Sequence, residues 1–246
     1  MDRVQRLPRY LLLMLFLFPS GLSGSLISAG DDTPPSSLHV PLVGQLASEW
    51  CWAACTEMVT RYYHDSINTA APIMLQCSLV NLAFTWLPPL DCDTVNSGNP
   101  PSAAYDMSAT PFPNLGNGNC NGYTTSSTLG APYKALPWDS LVSRISQRMP
   151  VIFNWGYAGV LQSTGGPGTG GNHYLVAEGC PTSKYIPDNW ISINDPEPVG
   201  RGTHRIISYF EYANKKPLTI EGDTLPYAWA SHGYDMYDFN YTAPTK

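Results

Sequence analysis

Four residues carry the chemistry this sequence can perform. Cys51 is followed by Trp52 and preceded six residues earlier by Gln45, while His173 lies 122 residues and Asp195 144 residues beyond the cysteine. A cysteine thiolate attacks acyl carbons, an imidazole takes and returns the proton, and a carboxylate holds the imidazole in one tautomer. A glutamine side chain ahead of the nucleophile, together with the Cys51 backbone N–H, supplies two donors for an oxyanion. These residues predict acyl transfer with Cys51 as nucleophile, His173 as general base, Asp195 or Asn194 as the group orienting the histidine and Gln45 as oxyanion donor. Asn194 is the alternative third member, because successive strand residues face opposite ways and only one of the pair can reach His173. Cys55 is the rival nucleophile, although a small buried residue on a packed face is its plainer role. The rival histidines are His64, His204 and His232, for which structural roles are expected.

These residues need a helix and a sheet to hold them. In SEWCWAACTEMVTRYYH, Ala54, Met58 and Tyr62 recur every fourth residue and Cys55, Val59 and Tyr63 follow one step behind. That spacing predicts a helix with one broad buried face, beginning near Trp50 with Ser48 as its cap and Glu57–Arg61 as a surface pair. Cys51 then sits in the first turn, where unpaired N–H groups and the helix dipole favour the thiolate. Residues 64–136 are rich in Pro, Gly, Asn and Ser and are expected to be irregular and stapled by disulfides, with QCSLVNLAF as a short helix. Order returns at Pro137-Trp138-Asp139-Ser140, a helix start, with Leu141, Ile145 and Met149 on one face until Pro150. VIFNW, HYLVAEG and WISIND read as strands, with a glycine-rich loop over Gly156–Gly171, and THRIISYFEYA as a final strand-like run.

The phrase Q…WCWAA, the aliphatic strand PVIFNWG, the glycine-rich turn leading into GTGGNHYLVAEG, and WISINDP together resemble the papain-like cysteine protease superfamily. The resemblance is closest to its small bacterial branch, the peptidase C39-like domains and secreted effector-type proteases. It covers residues 39–212 in outline. It implies an α+β fold in which an N-terminal nucleophile helix packs against a mostly antiparallel sheet lobe carrying His173 and Asp195. It also implies a peptidase working through a thioester, and in this branch the orienting residue directly precedes the proline, which favours Asp195 over Asn194. The Gly-Ser-Cys context of the plant and lysosomal enzymes is replaced here by Ser48-Glu49-Trp50.

Arg3, Arg6 and Arg9 precede an apolar run from Leu11 to Phe18, followed by Pro19 and small residues from Ser20 to Gly24. This is the layout of a signal peptide over residues 1–29, and the eight-residue run is too short for a membrane span of roughly 20 residues. Residues 30–38 form a short polar lead-in, and 39–246 a single catalytic domain. The formal charge of −6 becomes −8 without the first 29 residues, and no basic cluster exists beyond Lys215 and Lys216, which excludes nucleic acid as a partner. No membrane contact is expected after cleavage, so the product is expected to be a secreted or periplasmic monomer acting on peptide or protein substrates. Cysteines at 51, 55, 77, 92, 120 and 180 contain no CxxC pair and the histidines are scattered, so no metal and no cofactor are expected. With Cys51 kept as a thiol at most two disulfides form, and Cys77 is expected to pair with Cys92 or Cys120. Two other functions fit the same residues: a peptidoglycan amidase, or an inactive secreted binding module.

Overall fold

Sixteen residues without glycine or proline, Cys51–Ser66, form α1. In the computed structural model, which describes residues 37–113, 120–128, 135–157, 172–181, 189–213 and 230–243, every residue from Cys51 to Thr60 is buried. The first ten residues of α1 are thus enclosed on all sides, as expected of a helix that runs through a core. Ser48 does not cap it. Trp50 stands at the N-cap and makes no side-chain cap bond. Ser48 falls two residues too early, in a turn where its carbonyl accepts from Gln45 Nε2 at 2.8 Å. Nor is Glu57–Arg61 a surface pair. Glu57 is buried, its Oε1 accepting from Arg61 Nη2 at 2.6 Å and its Oε2 from Gln76 N at 3.3 Å, so it joins α1 to the next helix.

The stretch read as irregular holds α2 (Gln76–Ala83), α3 (Cys92–Asn96), a 3-10 turn (Ala103–Tyr105) and the strand β1 (Tyr123–Ser127). α2 matches the short helix expected at QCSLVNLAF, while the other pieces are too short to show periodicity. A disulfide between Cys77 and Cys92 ties α2 to α3, while Cys120 is a free, buried thiol. After β1 come α4 (Trp138–Ser146), β2 (Val151–Tyr157), β3 (Asn172–Gly179), β4 (Trp190–Asp195), β5 (Thr203–Ser208), α5 (Tyr209–Ala213) and β6 (Ala230–Tyr241). Met149 lies beyond the end of α4. The run THRIISYFEYA divides into β5 and the one-turn α5. The segment expected to be a signal peptide and most of the glycine-rich loop, residues 158–171, lie outside the described residues. No helix among the described residues is long and apolar enough to cross a membrane.

The six strands form one sheet in the order β1-β6-β2-β3-β4-β5, with every neighbouring pair antiparallel. The fold is α+β, with the helix that begins at Cys51 packed against an antiparallel sheet. Alternation sends Ile152, Tyr174, Val176 and Met236 to one face, where they pack with α1. Phe153, Leu175, Ala177, Ile191 and Ile193 point the other way, into a second core closed by Leu141 of α4 and Tyr212 of α5.

The long strand β6 occupies the second position in the sheet although its sequence, ASHGYDMYDFNY, lacks a regular apolar alternation. A register shift opposite Phe153–Trp155 breaks the pattern, and its polar residues are satisfied internally. Asp235 is fully buried, accepting from Tyr212 Oη, from Leu136 N at 2.7 Å and from His232 Nε2 at 3.1 Å. His232 Nδ1 meets Tyr212 O at 2.8 Å. This carboxylate joins β6, α5 and the approach to α4, and it gives His232 the structural role expected of it.

Two outcomes follow. Replacing Cys77 and Cys92 by serine opens a crosslink of sequence separation 15 and should lower the unfolding free energy by roughly 3 kcal/mol in urea titrations; an unchanged midpoint would show that the helices around it hold without the bond. Asp235→Ala strands three buried donors and should cost about 3–5 kcal/mol, read in the same titration.

Candidate active site

Cys51 opens α1, and α1 packs across β3. Its Sγ lies 3.7 Å from the carbonyl oxygen of Asn172, the residue immediately before His173. The N-terminal end of the helix therefore meets the first residues of β3. Cys55, one turn deeper, is fully buried, and burial pushes its thiol well above the ordinary range. Burial also raises Cys120, to about 11, and Cys180, to about 12.

His173 is buried at the start of β3 and its Nε2 lies 2.8 Å from Asp195 Oδ1 at the end of β4. The two strands are antiparallel neighbours, so the start of one and the end of the other share one end of the sheet. A carboxylate can only accept, so the bond places a proton on Nε2 and leaves the lone pair of a neutral ring on Nδ1. Asn194 faces the opposite side of the sheet, where its Nδ2 donates to Val40 O at 2.8 Å and approaches Glu178 Oε2 at 3.4 Å. Of the two candidates for the third position, Asp195 is the one that contacts the histidine.

Asp195 has no exposed surface. A buried carboxylate is tolerable only with donors on its oxygens, and three converge here. Oδ1 also accepts from the backbone N of Glu197 at 2.9 Å, and the Arg205 guanidinium from β5 forms an ion pair with Oδ2. The register sets Arg205 opposite Ile193, two residues from Asp195 on the same face. Sequence reading missed Arg205: a single cation in an alternating strand carries no signal that distinguishes it from an exposed one.

Gln45 reaches the same end of the sheet through the backbone. Its N–H donates to Pro196 O at 3.0 Å and its carbonyl accepts from Gly200 N at 2.7 Å, so the turn after Asp195 grips the segment ahead of α1. Gly44 makes this approach possible, because a Cβ there would run into the backbone of Arg201. Gln76, at the start of α2, clamps both flanks: its Nε2 donates to Gly44 O at 3.0 Å and its Oε1 accepts from Leu46 N at 2.9 Å. Gln76 is in turn bonded to Glu57. This chain of contacts was also invisible in the sequence, since it joins residues 30 positions apart through side-chain amides. The buried Gln45 side chain gives one Nε2 proton to Ser48 O, leaving a second on the same nitrogen.

Acidic groups border the site. The Glu49 carboxyl is raised by partial burial and by Asp106 and Glu197, an effect that His173 partly offsets. Ligating atoms of His173, Asp195 and Glu197 lie within 4.8 Å of one another, the one such convergence among the described residues. Nε2 and Oδ1 in that group already face each other across a hydrogen bond. His204 binds instead to Glu178 Oε1 at 2.9 Å and Ser192 Oγ at 2.8 Å, and His64 Nδ1 meets Ala71 O at 2.8 Å. Both histidines thus have structural partners away from Cys51.

Comparison with curated proteins gives no match. A family description does match: the Peptidase_C39 like family aligns with residues 37–215, from the segment before Gln45 to just beyond α5, leaving β6 outside the matched span. Covering well over half of the chain, the match shows that this protein belongs to the Peptidase_C39 like family, a family of the papain-like cysteine peptidase type.

Proposed function

We propose that the protein is an exported, monomeric cysteine peptidase that cleaves peptide or protein substrates through Cys51, His173, Asp195 and Gln45. The observation that carries this reading is the His173–Asp195 bond at 2.8 Å at the sheet end where the Cys51 sulfur meets the Asn172 carbonyl. Cys51 Sγ attacks the substrate carbonyl carbon while its proton passes to His173 Nδ1, the nitrogen opposite the Asp195 contact. The carbonyl oxygen becomes an oxyanion, which takes the Cys51 backbone N–H and the second Nε2 proton of Gln45. The N-cap residue Trp50 makes no side-chain bond to the first turn of α1, so the helix terminus keeps its positive end for the sulfur and the oxyanion.

Collapse of the tetrahedral adduct breaks the C–N bond, and His173 gives its proton to the departing amine. Water then attacks the thioester, again losing its proton to His173, and the acid leaves with Cys51 restored. Asp195 keeps Nε2 protonated throughout and balances the imidazolium that forms. Arg205 and Glu197 N hold the carboxylate in place. Export rests on the basic and apolar layout of residues 1–29, and the Cys77–Cys92 disulfide accords with an oxidising compartment. No metal or other cofactor has a step in this route.

A diverse peptide library incubated with the protein should be cleaved, and Cys51→Ala and His173→Ala should each reduce turnover by at least about 100-fold. Iodoacetamide at neutral pH should label Cys51 and spare Cys55, Cys120 and Cys180, as peptide mapping will read; equal labelling of Cys55 would remove the case for Cys51. Asp195→Asn keeps an acceptor for His173 but leaves Arg205 without its anion. It should therefore retain more kcat than Asp195→Ala, whose loss should reach about 100-fold or more.

A further inference from the structure

On the α1 face of the sheet stand three polar side chains without a part in the route above. Asn154 of β2 is paired in register with Tyr174 of β3, and Tyr174 Oη lies 2.8 Å from Tyr234 Oη of β6. The two rings meet edge to face at 6.1 Å. Tyr174 belongs to the core cluster containing Cys51 and Cys55, and Tyr234 packs against that cluster while remaining half-buried. Asn172, whose carbonyl oxygen lies 3.7 Å from Cys51 Sγ, stands two residues before Tyr174 on the strand that packs against α1, so Tyr174 lies on the same side of the sheet as the sulfur.

Asn154 is 2% exposed, yet among the described residues its Nδ2 has no hydrogen-bond partner. A buried amide donor left unpaired costs about 1–3 kcal/mol, so such a group calls for a reason. The backbone around it is shaped to admit the side chain. Gly233 borders Tyr234 at the register shift in β6, and a Cβ on Gly233 would overlap Asn154 Oδ1. In the tyrosine pair one hydroxyl donates to the other, and the accepting one still has its own proton to give. The cluster therefore offers an amide N–H and a phenolic O–H, with phenolic oxygen as acceptor.

We infer that Asn154, Tyr174 and Tyr234 form a polar subsite beside Cys51 that takes a neutral side-chain amide, that of asparagine or glutamine, from the substrate near the scissile bond. The inference rests on the peptidase reading for the identity of the substrate. A carbonyl oxygen satisfies the Asn154 donor, and the amide nitrogen has phenolic oxygen to bind. A carboxylate would be buried without a cation from the cluster, since none of the three residues carries positive charge. An alkyl side chain would leave the donor unpaired. Tyr234, on the strand outside the family match, is the half-buried member of the three.

The test uses the Cys51→Ala protein and a peptide series in which each of the two positions on either side of the candidate bond carries Asn, Gln, Glu or norleucine. Binding is followed calorimetrically. At one position the amide peptides should bind roughly 10- to 100-fold tighter than both norleucine and Glu. That margin should collapse when Tyr234→Phe or Asn154→Leu is added; if Asn154→Leu does not fold, Tyr234→Phe decides. Norleucine or Glu binding as tightly as the amides at every position overturns the subsite, and so does a margin that survives the substitutions. Wild-type cleavage without amide preference would leave the peptidase and remove the subsite. An amide margin in binding with no cleavage of any peptide by wild type would keep the subsite and remove the peptidase.

Discussion

The site depends on one buried anion. Asp195 is removed from water at the end of β4, and such a carboxylate survives only where donors replace its hydration. His173, the Glu197 amide and Arg205 supply them from three different parts of the chain. Each of these contacts also positions something. The histidine is fixed in one tautomer, the turn after β4 is drawn into the geometry that holds Gln45, and the edge strand β5 is locked in register through its arginine. Removing Arg205 would leave the anion partly uncompensated, a cost of roughly 3–5 kcal/mol for a fully buried pair and less where, as here, the cation keeps some exposure.

The same turn explains how a helix at one end of the sequence and strands at the other form one site. Gln45 is held through its backbone to Pro196 and Gly200, and Gln76 brackets it at Gly44 and Leu46. Gln45 and the turn that follows Asp195 are thus parts of one hydrogen-bonded unit, reached from α1 through Glu57 and Gln76. Cys51 needs no comparable set of tethers. Its helix is enclosed on every side for ten residues, and the packing of α1 on β3 fixes where the sulfur lies.

A second buried carboxylate, Asp235, performs a structural task beside the core closed by α4 and α5. It gathers Tyr212, His232 and the Leu136 amide, and so holds β6 within the sheet despite a sequence that alternates poorly. The two His–Asp contacts look alike as pairs. They differ in their neighbours: His173 follows the residue that touches Cys51, whereas His232 stacks on Phe153 and turns its other nitrogen to a backbone carbonyl.

What the sequence determined by itself was what strong local pattern can encode. The four-residue spacing through Ala54, Met58 and Tyr62 specified α1, the apolar runs specified β2, β3 and β4, and the order of Gln45, Cys51, His173 and Asp195 along the chain pointed to acyl transfer. Local pattern failed where partners are distant. Ser48 reads as a helix cap, yet its carbonyl is used by Gln45; Glu57 and Arg61 read as a surface pair, yet Glu57 is buried against α2; and β6 was not legible because its bulge and its internal aspartate erase the period-two signal. Only the tertiary structure decided between Asn194 and Asp195 as the contact of His173, since that depends on which β4 side chain shares the face of the sheet with His173. It alone brought in Arg205, Gln76 and the Asn154–Tyr174–Tyr234 cluster. These are hydrogen bonds and ion pairs between residues far apart in sequence, and no local propensity encodes where the far partner will be.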